Sequence, residues 1–253
     1  MSKLKTAFWF IKNPKYISHV FQILKRKRNK ALENSREEAT LWCKANSVGQ
    51  HEAVRKLTDT DTLVELLSLF PDEIKKAEQI AAAVPVKMGG SGATTFIYYL
   101  VKKSNAKKII ETGVAYGWSS LSILLAIKDD KEAKLISNDM PYVSMNNEDY
   151  VGCIIPENLK DKWELQRLPD VNGIPLALKK LNNTIDFCHY DSDKSYTGRM
   201  WATPLLWNAL TKNCFLVADD INDNLAFKHF CESVNRTPVI IEHSGKYVGV
   251  IIK

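Results

Sequence analysis

Short apolar segments alternate with longer segments of helical periodicity through the second half of the chain. The apolar segments are Lys108–Thr112, Lys134–Asn138, Trp163–Gln166, Ile185–Tyr190 and Phe215–Ala218. Such alternation predicts βαβ units and a parallel sheet. The last two segments are apolar at consecutive positions, which is typical of strands covered by helices on both faces. The pattern therefore predicts a doubly wound α/β sheet.

The C-terminal pattern differs from this alternation. Val239–His243 and Tyr247–Ile252 are both strand-like, and only a short turn with Ser244 and Gly245 separates them. Two strands joined so closely must pair antiparallel. The sheet is therefore expected to be mostly parallel with a C-terminal antiparallel hairpin.

The first part of the chain predicts helices. Leu63, Leu66, Leu67 and Phe70 form one apolar stripe, and Pro71 opens a second helix. A glycine loop follows at residues 89–92, and a further helix is expected over about Thr94–Lys103. We divide the chain into an arm at 1–30, a helical extension at 31–104 and an α/β domain at 105–253.

Composition narrows the class of protein. The chain has 253 residues, of which 45% are hydrophobic and 25% charged, and no apolar run reaches the ~18–20 residues that cross a bilayer. We expect no signal peptide, because the apolar run near the N-terminus is short. The five cysteines lack a C-x-x-C pair, which excludes a zinc ribbon and is consistent with reduced thiols in the cytoplasm.

The basic charge is concentrated in the arm. Residues 1–30 contain nine Lys and Arg residues and no Asp or Glu, so that the rest of the chain carries −3 of the total +6. This distribution does not predict nucleic-acid binding. Ile17, Val20, Phe21 and Leu24 add an apolar stripe at helical spacing. The arm either contacts an anionic membrane surface at the cytoplasmic face or packs on the body or a second subunit of a homo-oligomer.

The first strand of the α/β domain ends in a glycine-containing loop. In the sequence ETGVAYGWSS, Gly113 permits a sharp turn and Gly117 permits close approach of a ligand to the next helix. The loop is not G-x-G-x-x-G, so a diphosphate cradle is not predicted. Glu111 suits a cofactor with a cationic amine. The alternative is a plain strand–turn–helix with incidental glycines.

Acidic residues stand at the ends of the other strands. Asp139 follows the second strand, where an acid can accept hydrogen bonds from both ribose hydroxyls. Asp191 and Asp193 follow the fourth strand, and Asp219 and Asp220 follow the fifth. Crowded carboxylates repel unless a cation joins them, and Asp191, Asp219 and Asp220 are hard oxygen ligands suited to Mg²⁺. Asp193 is then available as a general base. The alternative is that these acids cap helices.

These segments resemble the class I S-adenosylmethionine-dependent methyltransferases. The element YDSDKSY followed by ADDIND is similar to that of the macrocin-type sugar O-methyltransferases and of the catechol O-methyltransferase group. The resemblance implies a Rossmann-like, seven-stranded sheet with its hairpin at one edge. It implies that Asp139 holds the cofactor's ribose, that Asp191, Asp219 and Asp220 bind Mg²⁺, and that Asp193 is the base. The cofactor loop would supply Glu111, Gly113, Ala115, Tyr116, Gly117 and Ser119. Lys194 departs from the sugar branch, which more often has an apolar residue there.

The expected function is Mg²⁺-dependent methyl transfer from S-adenosylmethionine to a hydroxyl of a sugar, a glycan or another small vicinal diol. A second interpretation is an S-adenosylmethionine-dependent methyltransferase that needs no metal. A third, an NAD-dependent oxidoreductase, conflicts with the missing G-x-G-x-x-G. A fourth is a non-catalytic protein whose arm docks on a membrane.

Overall fold

A computed structural model of the protein describes residues 3–143 and 145–253, so Met1 and Ser2 of the predicted arm lie outside the described residues. The described strands are β1 Ser47–Val48, β2 Lys108–Thr112, β3 Lys134–Asn138, β4 Trp163–Gln166, β5 Ile185–Tyr190, β6 Leu210–Ala218, β7 Val239–His243 and β8 Lys246–Ile252. The described α-helices are α1 Lys3–Lys12, α2 Ile17–Arg26, α3 Lys30–Glu33, α4 Arg36–Asn46, α5 Gln50–Thr58, α6 Leu66–Leu69, α7 Pro71–Ala83, α8 Thr94–Ser104, α9 Trp118–Ile127, α10 Asp170–Lys180, α11 Tyr196–Ala209 and α12 Ala226–Ser233.

The eight strands form one sheet in the order β4-β3-β2-β5-β6-β8-β7-β1. Neighbouring strands are parallel except that β8 is antiparallel to both β6 and β7. The expected mostly parallel sheet with a C-terminal hairpin is therefore confirmed. The expectation of seven strands with the hairpin at the edge is wrong, because β1 pairs parallel with β7 beyond it. A two-residue strand is too short to leave a periodic signal in the sequence.

Alternating side chains of the strands pack into two cores. Ile109 of β2 and Phe187 of β5 face one core together with α8 and α9. Ile110 and Cys188, the next residue along each strand, face the other core, which contains residues of α10 and α11. Because successive strand residues point to opposite faces, strands with helices on both sides must be apolar at consecutive positions.

Two boundaries differ from those that the sequence predicts. Strand β6 begins at Leu210 rather than Phe215, with a register irregularity in its pairing to β5. The stripe from Leu63 to Phe70 is helical only over α6, so the predicted helix is present but is shorter than expected at both ends. At the first residue of α6, the backbone N–H of Leu66 donates to Thr95 Oγ1. After α6, Phe70 leaves the helical region (φ −138°, ψ 62°) because it precedes Pro71.

The N-terminal arm packs across the body of the protein. Helix α2 contacts α10 and α11, and Ser18 Oγ donates to Asn172 Oδ1 at 2.5 Å. Ile17, Phe21 and Leu24 of the predicted apolar stripe are nevertheless exposed, whereas Val20 is half-buried. None of the helices in the described part of the chain is long and apolar enough to cross a membrane.

Candidate functional site

A cavity of about 810 Å³ opens at the carboxyl ends of β2, β3, β5 and β6. This is the place where ligands bind in open α/β sheets, and the volume lies in the usual range of ~300–1,000 Å³ for small-molecule sites. Its lining residues include Gly113, Ala115, Ser119, Asp139, Asp170 and Asp193. Further lining comes from the glycine loop at residues 89–92 and from helix α2.

The loop after β2 turns sharply through three left-handed residues. Gly113, Ala115 and Gly117 have φ values of 81°, 49° and 104°. A Cβ on Gly113 would lie 2.5 Å from the backbone carbonyl oxygen of Asp191. Gly113 is therefore required by the close approach of two backbone segments, whether or not a ligand is bound.

Asp139 fastens this loop from the end of β3. Its Oδ2 accepts hydrogen bonds from the backbone N–H groups of Val114 (2.9 Å) and Ala115 (3.0 Å). Burial raises the pKa of Asp139, and the two backbone hydrogen bonds oppose that rise. Asp139 also lines the cavity, so that one carboxylate both shapes the loop and faces the ligand space.

Glu111 lies behind the loop rather than in the cavity wall. Its side chain is fully buried, and Oε2 accepts from Ser120 Oγ (2.5 Å) and Ser137 Oγ (2.6 Å). The parallel register sets Ser137 and His189 beside Glu111 on the same face of the sheet. The expectation that Glu111 lines the methionine part of the cofactor therefore does not match its position.

Tyr116 and Gly117 also lie outside the cavity lining. The Tyr116 hydroxyl donates to the carbonyl of Val86 (3.0 Å) and accepts from the N–H of Met88 (3.1 Å). It thereby ties the cofactor loop to the segment before the glycine loop. Gly117 faces Gly152 and Ile155. A Cβ on Gly117 would lie 3.2 Å from both Gly152 Cα and Ile155 Cδ1. Of the predicted loop residues, Gly113, Ala115 and Ser119 reach the cavity.

His189 is buried between two carboxylates. Its Nδ1 lies 3.6 Å from Glu111 Oε1, and its Nε2 lies 3.7 Å from Asp219 Oδ1. Burial lowers the pKa of His189, but Asp219 and Glu111 outweigh it and raise the pKa to about 10. The imidazolium form therefore compensates the buried Glu111 and the partly exposed Asp219.

Two lysines occupy the cluster of predicted metal ligands. Lys194 Nζ is 2.9 Å from Asp191 Oδ1 and is also paired with Asp220 Oδ2. Lys246 Nζ is 3.1 Å from Asp220 Oδ1. The third predicted ligand, Asp219, is turned toward His189. The described residues contain no group of three His, Cys, Asp or Glu side chains placed to hold a metal ion. In this arrangement the donor set does not fit Mg²⁺, since ammonium groups already neutralise it.

The repulsion expected among these acids is nevertheless present. Burial and the nearby Asp219 raise the pKa of Asp191 to about 6, and Lys194 opposes the rise. Helix capping does not explain the cluster. Ser195, not an aspartate, caps α11 by accepting from the N–H of Gly198 (3.0 Å).

Asp193 faces helix α2. Arg26 Nη2 lies 2.9 Å from both of its carboxylate oxygens, and the N–H of Ser195 donates to Oδ1 at 3.0 Å. A Cβ on Gly198 would lie 2.3 Å from this carboxyl group, so α11 leaves room for Asp193 only through a glycine. The predicted base is therefore fixed in place, at the cavity and beside the arm.

Sequence reasoning missed Asp170, which lines the cavity at the start of α10. It accepts hydrogen bonds from Ser192 Oγ (2.6 Å) and Asn138 Nδ2 (3.1 Å). Loss of hydration raises the pKa of Asp170 to about 6. Its position shortly after β4 is a usable signal, because the acids that follow β3, β5 and β6 are predicted on the same ground.

Comparison with known proteins agrees with this geometry. Residues 110–221 match a family described as a methyltransferase domain. Caffeoyl-CoA O-methyltransferase 2 of Petunia hybrida is 29% identical over 161 residues, which cover 58% of this chain and 64% of that protein. The chain thus spans less than two thirds of the length of the curated relatives that it first matches.

Solved structures share the fold. The O-methyltransferase from Bacillus cereus in complex with S-adenosylhomocysteine (SAH) superimposes with a TM-score of 0.52 at 15% identity, covering 79% of this chain and 100% of that one. TomG from Streptomyces achromogenes, in complex with S-adenosylmethionine, gives a TM-score of 0.55 at 13% identity, covering 72% and 90%.

The matched domain contains the loop after β2, Asp139 and the acids after β5 and β6. Residues 110–221 therefore match a methyltransferase domain, and the fold is that of methyltransferases solved with S-adenosylmethionine or SAH, so the resemblance seen in the sequence is confirmed. Within that class, its similarity is to the O-methyltransferases.

Proposed function

We propose that this protein transfers the methyl group of S-adenosylmethionine to a hydroxyl oxygen of a small molecule. The observation that carries the proposal is one cavity that contains both the loop fastened by Asp139 and the carboxylate of Asp193. When bound, S-adenosylmethionine supplies an activated methyl group together with its leaving group. The protein has to bind the two reactants side by side and accept one proton.

The residues divide between these tasks. Asp139 and the loop at 113–119 bind the nucleoside side of the donor, as acids after the second strand do in related folds. Asp193 accepts the proton of the hydroxyl as the methyl group arrives. The cavity walls position the hydroxyl and limit access of water.

The acceptor is proposed to be a sugar, a glycan or another small vicinal diol. The cavity supports this because carboxylates, lysines and histidines line it, and these groups hydrogen-bond to hydroxyls. The matched plant relatives are named for caffeoyl-CoA. A phenolic vicinal diol therefore belongs beside sugars in any screen of acceptors.

Magnesium stays a prediction from the sequence. No step is assigned to a metal, because Lys194 and Lys246 pair with its expected ligands. In the arrangement that the structure has, the ammonium groups supply positive charge in the cavity that also contains the proposed base.

We also propose that the arm makes peripheral contact with an anionic membrane at the cytoplasmic face. Exposed Ile17, Phe21 and Leu24 stand beside exposed Lys25 and Lys27, and this combination suits an interfacial helix. A face that pairs two copies of the chain is the competing outcome.

Calorimetry with SAH tests the proposal of donor binding. We expect the wild-type protein to bind SAH with micromolar affinity and not to bind NAD. Transfer of radiolabelled methyl groups to a panel of methyl glycosides and catechols then tests the acceptor class. Binding of NAD in place of SAH would overturn the proposed function.

A further inference from the structure

The second helix of the arm has its polar face turned inward and its apolar face turned outward. His19, Gln22 and Arg26 lie at helical spacing, and all three line the cavity. Gln22 is buried, with 8% of its surface exposed, whereas Phe21 beside it is 63% exposed. An amphipathic helix that only covered the core would have the opposite orientation. The inward polar face therefore indicates a surface that meets a polar ligand.

Specific polar contacts hold this helix across the cavity. On one side, Ser18 Oγ donates to Asn172 of α10. On the other side, beyond α2, Glu33 accepts from the backbone N–H groups of Tyr196 (2.8 Å) and Thr197 (3.0 Å). A carboxylate at the first turn of α11 is favoured by the helix dipole. Within the arm, Asn29 Nδ2 also donates to Thr197 Oγ1 (3.2 Å), so the arm and the residues directly after it are attached to both of the helices between which the cavity opens.

Between these attachments, Arg26 holds Asp193. One guanidinium nitrogen, Nη2, is 2.9 Å from both carboxylate oxygens, and the side chain of Asp193 is only 12% exposed. Arg26 Nε is buried and has no hydrogen-bond partner among the described residues. The ion pair is part of the cavity wall, not a contact on the outer surface.

We propose that α2 is the acceptor-facing wall of the active site, in which Arg26 is a positioning residue for Asp193 and His19 and Gln22 contact the acceptor. The proposal rests on the proposed function. Uncharged imidazole and amide groups suit the hydroxyls of a neutral, polyhydroxylated acceptor. The donor side of the cavity is built by β2, β3 and their loops, so α2 affects the acceptor and not SAH.

The test compares Arg26→Gln and Arg26→Lys with Lys25→Gln. Lys25 is the exposed neighbour of Arg26, so its variant makes the same change of charge outside the cavity. Hydrogen exchange over residues 17–26 should become about tenfold faster or more in Arg26→Gln, because a charged hydrogen bond is lost. Lys25→Gln should exchange like the wild type. SAH affinity should stay within about twofold in all variants.

Methyl transfer supplies a readout that a purely structural role would not change. With the acceptor from the panel of glycosides and catechols that the wild type methylates, Arg26→Gln should lower kcat by about tenfold or more, and Arg26→Lys should restore part of it. His19→Ala and Gln22→Ala should raise KM with little change in kcat.

Two results would overturn the proposal that α2 is the acceptor-facing wall. In the first, Arg26→Gln matches Lys25→Gln in exchange and in transfer. In the second, loss of SAH binding accompanies the loss of transfer, which shows a general effect on the fold. Failure of the wild type to bind SAH would instead contradict the proposed function, and the exchange comparison would still decide whether Arg26 fixes α2.

Discussion

The proposed donor side and the proposed acceptor side of the cavity are built in different ways. The donor side comes from β2, β3 and the loop at 113–117, and Asp139 lies only 25 residues from the Val114 amide that it binds. On the acceptor side, Arg26 and Asp193 are separated by 167 residues. A local motif is enough to identify the first side. The second side exists only because the arm folds back, so no motif of consecutive residues encodes it.

Asp139→Ala should damage the donor side most. It removes the acceptor of two backbone hydrogen bonds and a carboxylate of the cavity, so SAH affinity should fall by about 100-fold. Calorimetry measures the loss. Asp149→Ala changes an exposed acid and should bind SAH like the wild type. Equal affinity in both variants would contradict the assignment of the donor side.

Gly113→Val is a less specific probe of the same side. Its side chain would collide with the Asp191 carbonyl, so the melting temperature should fall together with SAH binding. A substitution that tested only the ligand space would have to leave the fold intact. Gly113→Val cannot do so, because its side chain would meet the backbone of Asp191.

Lys194→Met tests whether this lysine prevents metal binding in the cavity. It removes the ammonium between Asp191 and Asp220, so affinity for Mn²⁺ as a probe ion should rise about tenfold or more. Calorimetry or paramagnetic relaxation of water checks the rise. Lys212→Met is the matched control at an exposed site. If Mn²⁺ binds the wild type as tightly as the variant, the lysine does not block the site.

Asp170→Asn tests the boundary between the two sides. The folded protein raises the pKa of Asp170 to about 6, so the folded state binds its proton more tightly than the unfolded state does. The free energy of unfolding attributable to this group is therefore highest at low pH and falls as pH rises from about 4 to about 6. Because Asn does not titrate, Asp170→Asn should remove this fall, which amounts to about 2 kcal/mol between pH 4.5 and pH 7.

Urea unfolding at pH 4.5 and pH 7 measures this difference. Asp149→Asn, at an exposed acid, is the matched control. A pH dependence identical in Asp170→Asn and the wild type would show that Asp170 keeps its ordinary pKa.

Leu24→Ser should give the smallest effect. Loss of one exposed apolar residue of the arm should weaken co-sedimentation with anionic vesicles about threefold. Leu41→Ser, at an exposed position of α4, should have no effect. Wild-type binding should be weak on neutral vesicles and should be released by salt. A change in oligomeric state without any vesicle binding would assign the face to a second copy of the chain.

The sequence predicted the sheet more completely than the site. Strands such as β2 and β5 have the predicted bounds because apolar runs between turn residues are local signals. The acids after β5 and β6 were correctly expected to lie together. Their partners Lys194 and Lys246 were not assigned to them, because contacts among charged side chains depend on rotamers and tertiary packing rather than on spacing.

Glu111 shows the same limit within a correctly predicted strand. Its place at a strand end suggested a ligand, yet the in-register neighbours Ser137 and His189 draw its carboxylate into the core. The orientation of α2 was unpredictable for a related reason. Its apolar stripe is visible in the sequence. The inward orientation of its polar face, however, depends on a contact with Asp193, which is distant in the sequence.

Strand β8 has a consequence for the order of assembly. It lies inside the sheet, between β6 and β7, although it follows both of them in the sequence. Strands β7 and β1 reach the rest of the sheet only through it. Before β8 docks, the nascent sheet is divided into two parts with open edges, and such edges pair readily with other chains. Folding of this protein should therefore be limited by a late, long-range closure and be most prone to aggregation just before that step.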